Sequence, residues 1–427
     1  MAFYTLGCKV NQNETGAMEE LFRRAGYLVV PPNEAADVFV VNSCTVTAGG
    51  DSKSRRALNR ARSLNPGVVT VLTGCFPQAF PEGAAKAGAD VLCGTARRAR
   101  LPELVQQFLD TGLPVVEIAP LGRDAAFEAL PAGQQEGRTR AFVKVQDGCN
   151  RRCAYCIIPT ARGPARSRDE AGILAELSQL AAAGYAEVVF TGINLSSYGR
   201  DTGTNLAELA QRAAGVGGIE RVRLSSLEPD LLPDAQIKQM AQNEKLCPHF
   251  HLSLQSGSDA VLRRMRRPYT TALYRDTVAK LRAAMPSCGL TTDLIVGFPG
   301  ETAAEFDESL AFIREMAFLK VHVFPFSARP GTPAAGMDGQ LSKAEKAARA
   351  TEAQRVADEV RAEWIATQAG SRQRVLLETP LPDGRFTGYT GSYIPVAVHA
   401  PGRVAGDILA GVLGSFDGER ADFTISQ

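Results

Sequence analysis

Short apolar segments alternate with amphipathic segments along most of the chain, and this alternation constrains the fold more than any other feature. In the first 118 residues the apolar segments are FYTLGC, VFVVNSC and VVTVLTGC. Strand–helix units repeated in this way predict a parallel β-sheet. We therefore expect residues 1–118 to form a Rossmann-like parallel α/β domain.

Each of these apolar segments ends on a cysteine, namely Cys8, Cys44 and Cys75. The carboxyl ends of parallel strands share one edge of an open sheet, and ligands bind at that edge. Any one of these thiols could instead be a buried core residue, since free cysteine is among the most buried residue types. Together, however, they predict a metal site at the edge of the sheet.

The strand–helix theme recurs in residues 140–370, where it predicts a partial (β/α)6 barrel. The candidate strands are RAFVKVQDGC, AEVVFTGIN, RVRLSSLEP, HFHLSLQSG, TTDLIVGFPG and LKVHVFPFS. Helices are predicted between them, for example over 169–183 and 302–316. The last helix should begin at Ser342, with Glu345 completing a capping box, and should end at Gly370.

Two further regions differ in composition. Residues 119–139 are rich in Ala, Gly and Pro and are interpreted as a linker. Residues 371–427 contain short strand-like segments broken by Gly and Pro, which predict a small all-β barrel of a kind often used on RNA. This region holds five Arg against six Asp and Glu, so docking or stability is the alternative role.

Length and composition restrict the class of protein. A chain of 427 residues exceeds what one core usually serves, so several domains are expected. The first residues lack a signal-peptide pattern, and no apolar run could span a bilayer. A cytoplasmic location follows as an expectation. The nine cysteines are then interpreted as ligands or core thiols rather than disulfides.

The densest cysteine motif is CNRRCAYC, which places thiols at Cys149, Cys153 and Cys156. Structural zinc sites usually take four protein ligands in paired short spacings, and no second pair follows this triplet. Thiolates also suit iron–sulfur clusters. A [4Fe–4S] cube on three cysteines leaves one iron open to chelate an amino and a carboxylate group, as S-adenosylmethionine offers.

This Cys-x3-Cys-x2-Cys motif after the first barrel strand resembles the signature of radical S-adenosylmethionine (radical-SAM) enzymes, in which an aromatic, here Tyr155, commonly precedes the last cysteine. The stretches CIIPTARGPARSR, LQSGSDAVLRRMRRPYT and TTDLIVGFPGET resemble the methylthiotransferases of that superfamily. The resemblance implies a second [4Fe–4S] cluster on Cys8, Cys44 and Cys75. It also implies a TRAM domain over 371–427.

Within that family, TLGCKVNQNET and VNSCTVT look most like the subgroup that modifies N6-threonylcarbamoyladenosine at position 37 of tRNA, next to the anticodon. Asn13 and Ser43 depart from the usual pattern, but neither removes a ligand. The alternatives within the family are isopentenyladenosine of tRNA and an aspartate of a ribosomal protein. An alternative of another class is a non-catalytic iron–sulfur RNA-binding protein.

The resemblance implies that a sulfur atom is inserted at carbon 2 of the adenine and then methylated. Because that C–H bond is not usefully acidic, a radical from S-adenosylmethionine is needed, and no side chain is assigned as general acid or base. The implied partners are the tRNA anticodon arm and a low-potential electron donor such as flavodoxin or ferredoxin. The protein is expected to be a monomer without membrane contact.

Residues at the carboxyl ends of the barrel strands are candidates for binding S-adenosylmethionine, through hydrogen bonds or close backbone approach. Strand-end capping or turn geometry is the alternative role for each. With Tyr155, the candidates are Thr191, Gly192, Asn194, Ser225, Glu228, Gln255, Ser256, Asp293 and Gly297. We expect His249, His251, His322, Cys93, Cys247 and Cys288 to be structural.

The net charge of +1 argues against an overall electrostatic attraction for RNA, but basic residues cluster locally. One cluster lies between Lys53 and Arg62, another follows the cysteine triplet, and a third is the stretch RRMRRPY. Solvated helix faces are the alternative for any single cluster. The candidates for RNA contact are Arg266, Arg267, Arg385, Tyr389 and Tyr393.

Overall fold

The computed structural model describes residues 1–122, 124–133 and 137–426, and the chain divides into two compact units. The first, here the N-terminal unit, contains Met1–Glu136, Gln146–Arg168 and Ser327–Ala335. The second, the barrel unit, contains Gly137–Val145, Asp169–Phe326 and Gly336–Gln427. The cysteine triplet therefore belongs to the N-terminal unit. Residues 123 and 134–136 of the predicted linker lie outside the described residues.

The N-terminal unit is built on a five-stranded parallel sheet whose strands lie in chain order, β1-β2-β3-β4-β5. This confirms the parallel α/β fold predicted for the first region. The elements in order are β1 (Ala2–Thr5), α1 (Lys9–Arg24), β2 (Val38–Ser43), α2 (Ala48–Leu64), β3 (Val69–Gly74), α3 (Cys75–Ala79), α4 (Pro81–Ala85), β4 (Val91–Cys93), α5 (Leu101–Thr111) and β5 (Val115–Glu117).

Successive side chains of this sheet enter two different apolar cores, as the two-residue period of a strand requires. Val38 and Val40 join the core formed with α1 and α5, whereas Phe39 and Val41 join the core formed with α2. Because both faces are covered, the strands are apolar throughout rather than alternating. The polar side chains needed for chemistry are thereby confined to the strand ends.

The cysteine triplet lies in a loop after β6 (Arg140–Lys144), a strand of the barrel unit. This loop contains β7 (Gln146–Asp147), α6 (Ile158–Arg162) and β8 (Arg166–Ser167). Strands β7 and β8 pair antiparallel and join the two ends of the loop. Gly148 has a φ of 71°, and a Cβ there would lie 1.9 Å from the carbonyl oxygen of Pro164, so only glycine fits.

The barrel unit contains strands from all six predicted regions; the third region is split into β10 and β11, and the first continues into β7 of the N-terminal unit. Its parallel sheets are β10-β9-β6 and β11-β12-β13-β14. The elements are α7 (Glu170–Ala182), β9 (Glu187–Thr191), α8 (Leu206–Ala214), β10 (Arg221–Leu224), β11 (Ser226–Leu227), α9 (Asp234–Ala241), β12 (His249–Leu252), α10 (Asp259–Arg264), α11 (Thr271–Ala284), β13 (Gly289–Val296), α12 (Ala303–Met316), β14 (Lys320–Pro325) and α13 (Lys343–Ala366).

Both sheets of the barrel unit contribute side chains to one apolar core, for example Val188 of β9 and Leu252 of β12. The capping box predicted at Ser342 and Glu345 is present at the start of α13. The helix ends at Ala366, and a turn leads to Gly370, which has a φ of 80°. None of the helices in the described ranges combines the length and apolar character needed to cross a bilayer.

The last region forms a closed β-barrel with the strand order β15-β16-β17-β19-β18. Its strand pairs are antiparallel except for β17 and β19, which are parallel. Its strands are β15 (Arg372–Pro380), β16 (Arg385–Thr390), β17 (Pro395–His399), β18 (Ile408–Phe416) and β19 (Ala421–Ile425). This confirms the small β-barrel predicted for residues 371–427. It belongs to the barrel unit, where buried Arg223 donates hydrogen bonds to the carbonyl oxygens of Gly391 at 3.0 Å and Thr390 at 3.3 Å.

Candidate iron–sulfur and cofactor site

Three cysteines lie at the carboxyl edge of the N-terminal sheet, as their positions in the sequence predict. Cys8 is the N-cap of α1, Cys44 follows β2, and Cys75 is the first residue of α3. Gly7 brings two of them together, because a Cβ at Gly7 would lie only 3.2 Å from the Cys44 sulfur. Its φ of 112° also requires glycine.

Hydrogen bonds between neighbouring strand ends fix the third cysteine. The Ser43 hydroxyl donates to the carbonyl oxygen of Thr73 at 2.5 Å and accepts from the backbone N–H of Phe76 at 3.2 Å. Ser43, the residue before Cys44, is therefore hydrogen-bonded to residues on both sides of Cys75 in the chain. Ser43, which departs from the family pattern, has a defined structural role here.

The three thiols differ in exposure, and their pKa values reflect it. Cys8 is exposed, Cys44 is half-buried and Cys75 is buried. Burial raises the pKa of the Cys75 thiol to about 12, with Cys44 and Cys8 adding to the rise and Arg162 opposing it. Burial also raises the pKa of Cys44. A metal must therefore displace protons from these thiols, which makes its binding pH-dependent.

A buried polar network that the sequence did not reveal surrounds Cys75. The guanidinium of Arg162 is fully buried and donates from Nε to the Cys75 sulfur at 3.2 Å. Its Nη2 donates to Glu14 Oε2 and to Asn11 Oδ1, both at 2.9 Å. Arg98 pairs with the same Glu14 at 2.5 Å. The available signal was the placement of Asn11 and Glu14 on one face of the helix that starts at Cys8.

The second triplet, Cys149, Cys153 and Cys156, lies in the loop between β7 and α6. Cys153 is buried, whereas the other two are half-buried. The Cys149 sulfur accepts from the backbone N–H of Arg151 at 3.4 Å, and the Cys149 N–H donates to the Gly163 carbonyl at 3.0 Å. A cleft of about 400 Å³ opens beside Cys149. Of the three thiols, Cys149 thus lines the accessible cleft.

The donors of both triplets are cysteine thiols, a ligand type that suits iron–sulfur clusters. In the described residues, no group of three or more His, Cys, Asp or Glu side chains is arranged to hold one metal ion. A [4Fe–4S] cube takes each thiolate on a different iron and therefore accepts thiols that are farther apart.

In the barrel unit, the predicted cofactor-binding residues lie at strand ends, as expected. Ser225 lies between β10 and β11, and its hydroxyl is buried without a hydrogen-bond partner among the described residues. A buried hydroxyl of this kind calls for a ligand or water as partner. Gln255 has a φ of 70°, an unfavourable conformation held by backbone bonds to Asp293 and Ile295 at 2.9 Å. Both observations suit a binding site.

Other candidates are engaged in structural contacts. The Ser256 hydroxyl lies 3.3 Å from that of Ser309 on α12, and Glu228 pairs with Arg267. A Cβ at Gly297 would meet the Lys346 side chain of α13 at 2.3 Å, so this glycine makes room for that side chain. Cofactor binding by Ser256 and Gly297 stays a prediction beside these packing contacts.

The remaining candidates keep positions compatible with binding. Thr191 is the last residue of β9, and its carbonyl accepts from the Val145 N–H at 3.0 Å. Gly192 follows it, and Asn194 begins a short 3-10 turn. Asp293 on β13 contacts His251 at 3.3 Å. Tyr155 lies in the cysteine loop of the other unit.

The RNA-contact candidates divide into exposed and engaged residues. Arg266 is exposed, whereas Arg267 is buried and paired with Glu228, so Arg267 is corrected to a structural role. Tyr389 and Tyr393 stack on each other with ring centroids 4.7 Å apart. Tyr393 also packs on His249 at 4.6 Å. These contacts pack the tyrosines within the barrel unit, and RNA contact by Tyr389 and Tyr393 stays a prediction.

The last RNA-contact candidate is Arg385, and the residues expected to be structural include His249 and three cysteines. Arg385 is exposed and bonded to Asp383 at 2.8 Å. His249 is buried, with Nε2 at 3.2 Å from the Thr291 hydroxyl. Cys93, Cys247 and Cys288 are buried, and burial raises the pKa of each thiol. They remain core residues, as expected.

Two family profiles match this chain. The Radical SAM superfamily matches residues 143–313, and the Uncharacterized protein family UPF0004 matches residues 1–94. Among curated proteins, the chain is 39% identical over 416 residues to the threonylcarbamoyladenosine tRNA methylthiotransferase MtaB of Bacillus subtilis, covering 96% of this chain and 92% of that protein. The chain belongs to the radical-SAM methylthiotransferase family.

Other curated proteins and a solved structure are also similar to this chain. MtaB of Thermotoga maritima is 39% identical, with 91% of this chain and 89% of that protein covered. The tRNA-2-methylthio-N(6)-dimethylallyladenosine synthase of Clostridium novyi is 34% identical, with 91% and 88% covered. The radical S-adenosylmethionine methyltransferase TsrM of Kitasatospora setae shares the fold, with a TM-score of 0.57 and 14% identity over 78% of this chain and 73% of that one.

Proposed function

We propose that this methylthiotransferase acts on tRNA and adds a methylthio group to carbon 2 of N6-threonylcarbamoyladenosine at position 37. The observation that carries the proposal is the 39% identity to proteins named for this reaction over nearly the whole chain. The relative named for dimethylallyladenosine is 34% identical. Both cysteine triplets needed for the reaction are present at separate sites of the N-terminal unit.

Cys149, Cys153 and Cys156 would hold the radical-generating [4Fe–4S] cluster, and Cys8, Cys44 and Cys75 a second, sulfur-donating one. When bound, the first cluster with S-adenosylmethionine supplies the hydrogen-abstracting radical that an unactivated C–H bond requires. The protein itself contributes the positions of the thiols. β7 and β8 close the cysteine loop, while Gly7, Ser43 and Phe76 hold the second set of thiols together.

In the barrel unit, Ser225 and Gln255 are the best supported contacts to S-adenosylmethionine. The Ser225 hydroxyl is buried without a partner among the described residues, so a ribose or methionine group can satisfy it. Gln255 maintains a strained backbone conformation at the end of β12, and such strain is retained where function requires it. We assign Thr191, Gly192, Asn194 and Asp293 to the same site by their strand-end positions.

Exposed cations support RNA as the partner. Lys53, Arg56 and Arg60 recur on one face of α2, are exposed, and meet no carboxylate in the part of the chain that the structure describes. In the barrel unit, Arg263 and Arg266 are likewise exposed. Groups of this kind neutralise phosphates. The proposed location is the cytoplasm, where tRNA is modified. The proposed electron donor is a flavodoxin or ferredoxin, and the protein is proposed to be a monomer.

Mass spectrometry of tRNA nucleosides from a strain lacking this gene tests the proposal. The expected result is loss of 2-methylthio-N6-threonylcarbamoyladenosine, with restoration by the intact gene and not by a Cys44→Ala variant. Loss of the methylthio group from isopentenyladenosine, or from a ribosomal-protein aspartate, would reassign the substrate. Unchanged nucleosides and proteins would favour a non-catalytic RNA-binding role.

A further inference from the structure

Arg162 connects the two cysteine sites within the N-terminal unit. It is the last residue of α6, the helix that follows the Cys149–Cys156 triplet. Its guanidinium donates from Nε to the Cys75 sulfur at 3.2 Å. The next residue, Gly163, accepts from the backbone N–H of Cys149 at 3.0 Å. One short segment thus contacts a cysteine of each triplet.

The surroundings of Arg162 leave its side chain little freedom. Glu14 accepts from both terminal nitrogens of the guanidinium, and Asn11 accepts from Nη2 at 2.9 Å. Asp147 lies 3.6 Å from Nη1. The backbone is held as well, because the Thr95 hydroxyl donates to the Ala161 carbonyl at 2.8 Å. The direction of the Nε–H bond toward sulfur is therefore set by the fold.

Asn11 extends the same network to the other two cysteines. Its side-chain N–H2 group donates to the carbonyl oxygens of Leu6 at 2.9 Å and Ser43 at 3.0 Å, just before Gly7 and Cys44. Its Oδ1 is 3.6 Å from the Cys8 sulfur. Arg162 is thus bonded to Cys75 directly and to the segments carrying Cys8 and Cys44 through Asn11.

We infer that Arg162 is a positioning residue for the second cluster: its Nε–H bond to the Cys75 sulfur orients that ligand and raises the reduction potential of the cluster on Cys8, Cys44 and Cys75. A donor to a ligand sulfur stabilises the more negative, reduced state, and such bonds are among the determinants of cluster potential. The inference rests on the proposed cluster assignment and adds a residue to it.

The test measures the second cluster alone. In a protein carrying Cys149→Ala, Cys153→Ala and Cys156→Ala, the midpoint potential of the remaining cluster is determined by a redox titration followed by electron paramagnetic resonance. Arg162→Met combined with Glu14→Gln removes the donor together with the carboxylate that pairs with it, while Arg98, the other partner of Glu14, keeps its pair with Glu128. We expect the potential to shift to a more negative value.

Two further variants keep the result interpretable. Glu14→Gln alone retains the bond to sulfur and should shift the potential less than the double variant. Arg162→Lys keeps the charge but loses the planar donor group, and should shift it in the same direction as the double variant. A wild-type potential in both Arg162 variants would overturn the inference. In the complementary protein with Cys8→Ala, Cys44→Ala and Cys75→Ala, Arg162→Lys should leave the potential of the first cluster unchanged.

The outcome also separates this inference from the proposed function. If the protein that keeps only Cys8, Cys44 and Cys75 bound no iron even with Arg162 intact, the cluster assignment itself would fall, and the inference with it. If iron bound normally and the potential did not respond to Arg162, only the inference would fall.

Discussion

The guanidinium of Arg267 pairs with the Glu228 carboxylate and donates from Nε to the Tyr269 hydroxyl at 3.0 Å. Tyr269 in turn donates to the carbonyl oxygen of Ser253 at 2.6 Å. Arg267 and Glu228 are both largely buried, so this pair ties the segment after α10 to the end of β11. The neighbouring Arg266 has a different environment, because it is exposed with a φ of 57°.

We expect Arg263→Ala with Arg266→Ala to weaken tRNA binding and to flatten its salt dependence. Each lost phosphate contact should reduce the slope of log affinity against log salt by roughly 0.7 to 0.9. Filter binding or fluorescence anisotropy at several salt concentrations measures this. Arg355→Ala, which removes an exposed arginine that is paired with Glu352 on α13, is the matched control and should leave the slope unchanged.

Arg267→Ala should behave differently from Arg266→Ala. Removing Arg267 takes away the cation that pairs with the largely buried Glu228 carboxylate, which should destabilise the protein by about 3 kcal/mol. Arg266→Gly should instead stabilise it by about 1 kcal/mol, since glycine adopts a positive φ without the steric cost of a Cβ. Denaturant unfolding measures both. Equal stability of the two variants would contradict the assigned environments.

Iron analysis tests whether the triplets form independent sites. The wild-type protein, prepared anaerobically, should contain about eight iron atoms per chain, the content of two four-iron cubes. Replacing Cys149, Cys153 and Cys156 with Ala should leave about half of that iron and abolish cleavage of S-adenosylmethionine. Loss of all iron from this variant would mean that Cys8, Cys44 and Cys75 do not form a site of their own.

Cys44→Ala should separate the two halves of the reaction. The loop with the radical-generating triplet is untouched, so reductive cleavage of S-adenosylmethionine should persist, while the methylthio product should disappear for lack of a sulfur donor. Liquid chromatography of both products in one assay measures this. Continued formation of the methylthionucleoside would show that the sulfur has another source. Cys93→Ser, at a buried thiol outside both triplets, is the control.

Tyr393→Ala should lower the unfolding temperature of the barrel unit. Tyr393 stacks on Tyr389, packs on His249, and lies under the guanidinium of Arg223 at 4.9 Å. Losing these contacts should cost about 2 to 3 kcal/mol, and the positive φ at this position offsets none of it because alanine keeps the Cβ. Calorimetry measures the change. Arg385→Ala, at an exposed site of the same small barrel, should stay within about 0.5 kcal/mol of wild type.

Local sequence patterns sufficed for the elements and for the cysteine sites. The alternation of strand and helix patterns predicted the parallel sheets, because the spacing of apolar residues indicates which face of each element is buried. The cysteines that follow β1, β2 and β3 could be placed together because parallel strands share one carboxyl edge. The Ser342 capping box was readable because a cap depends on residues close in sequence.

Tertiary structure decided the partners of the charged side chains. Arg266 and Arg267 are adjacent and identical in sequence, yet one is exposed and the other is buried on Glu228. Arg162 and Cys75 are far apart in the chain and meet in a buried network. The secondary-structure propensity of a residue and the spacing of apolar residues carry no information about which distant group a side chain will contact. Long-range pairing of buried charge is settled only when the packed elements bring the groups within hydrogen-bond distance, since burial without a partner would be too costly.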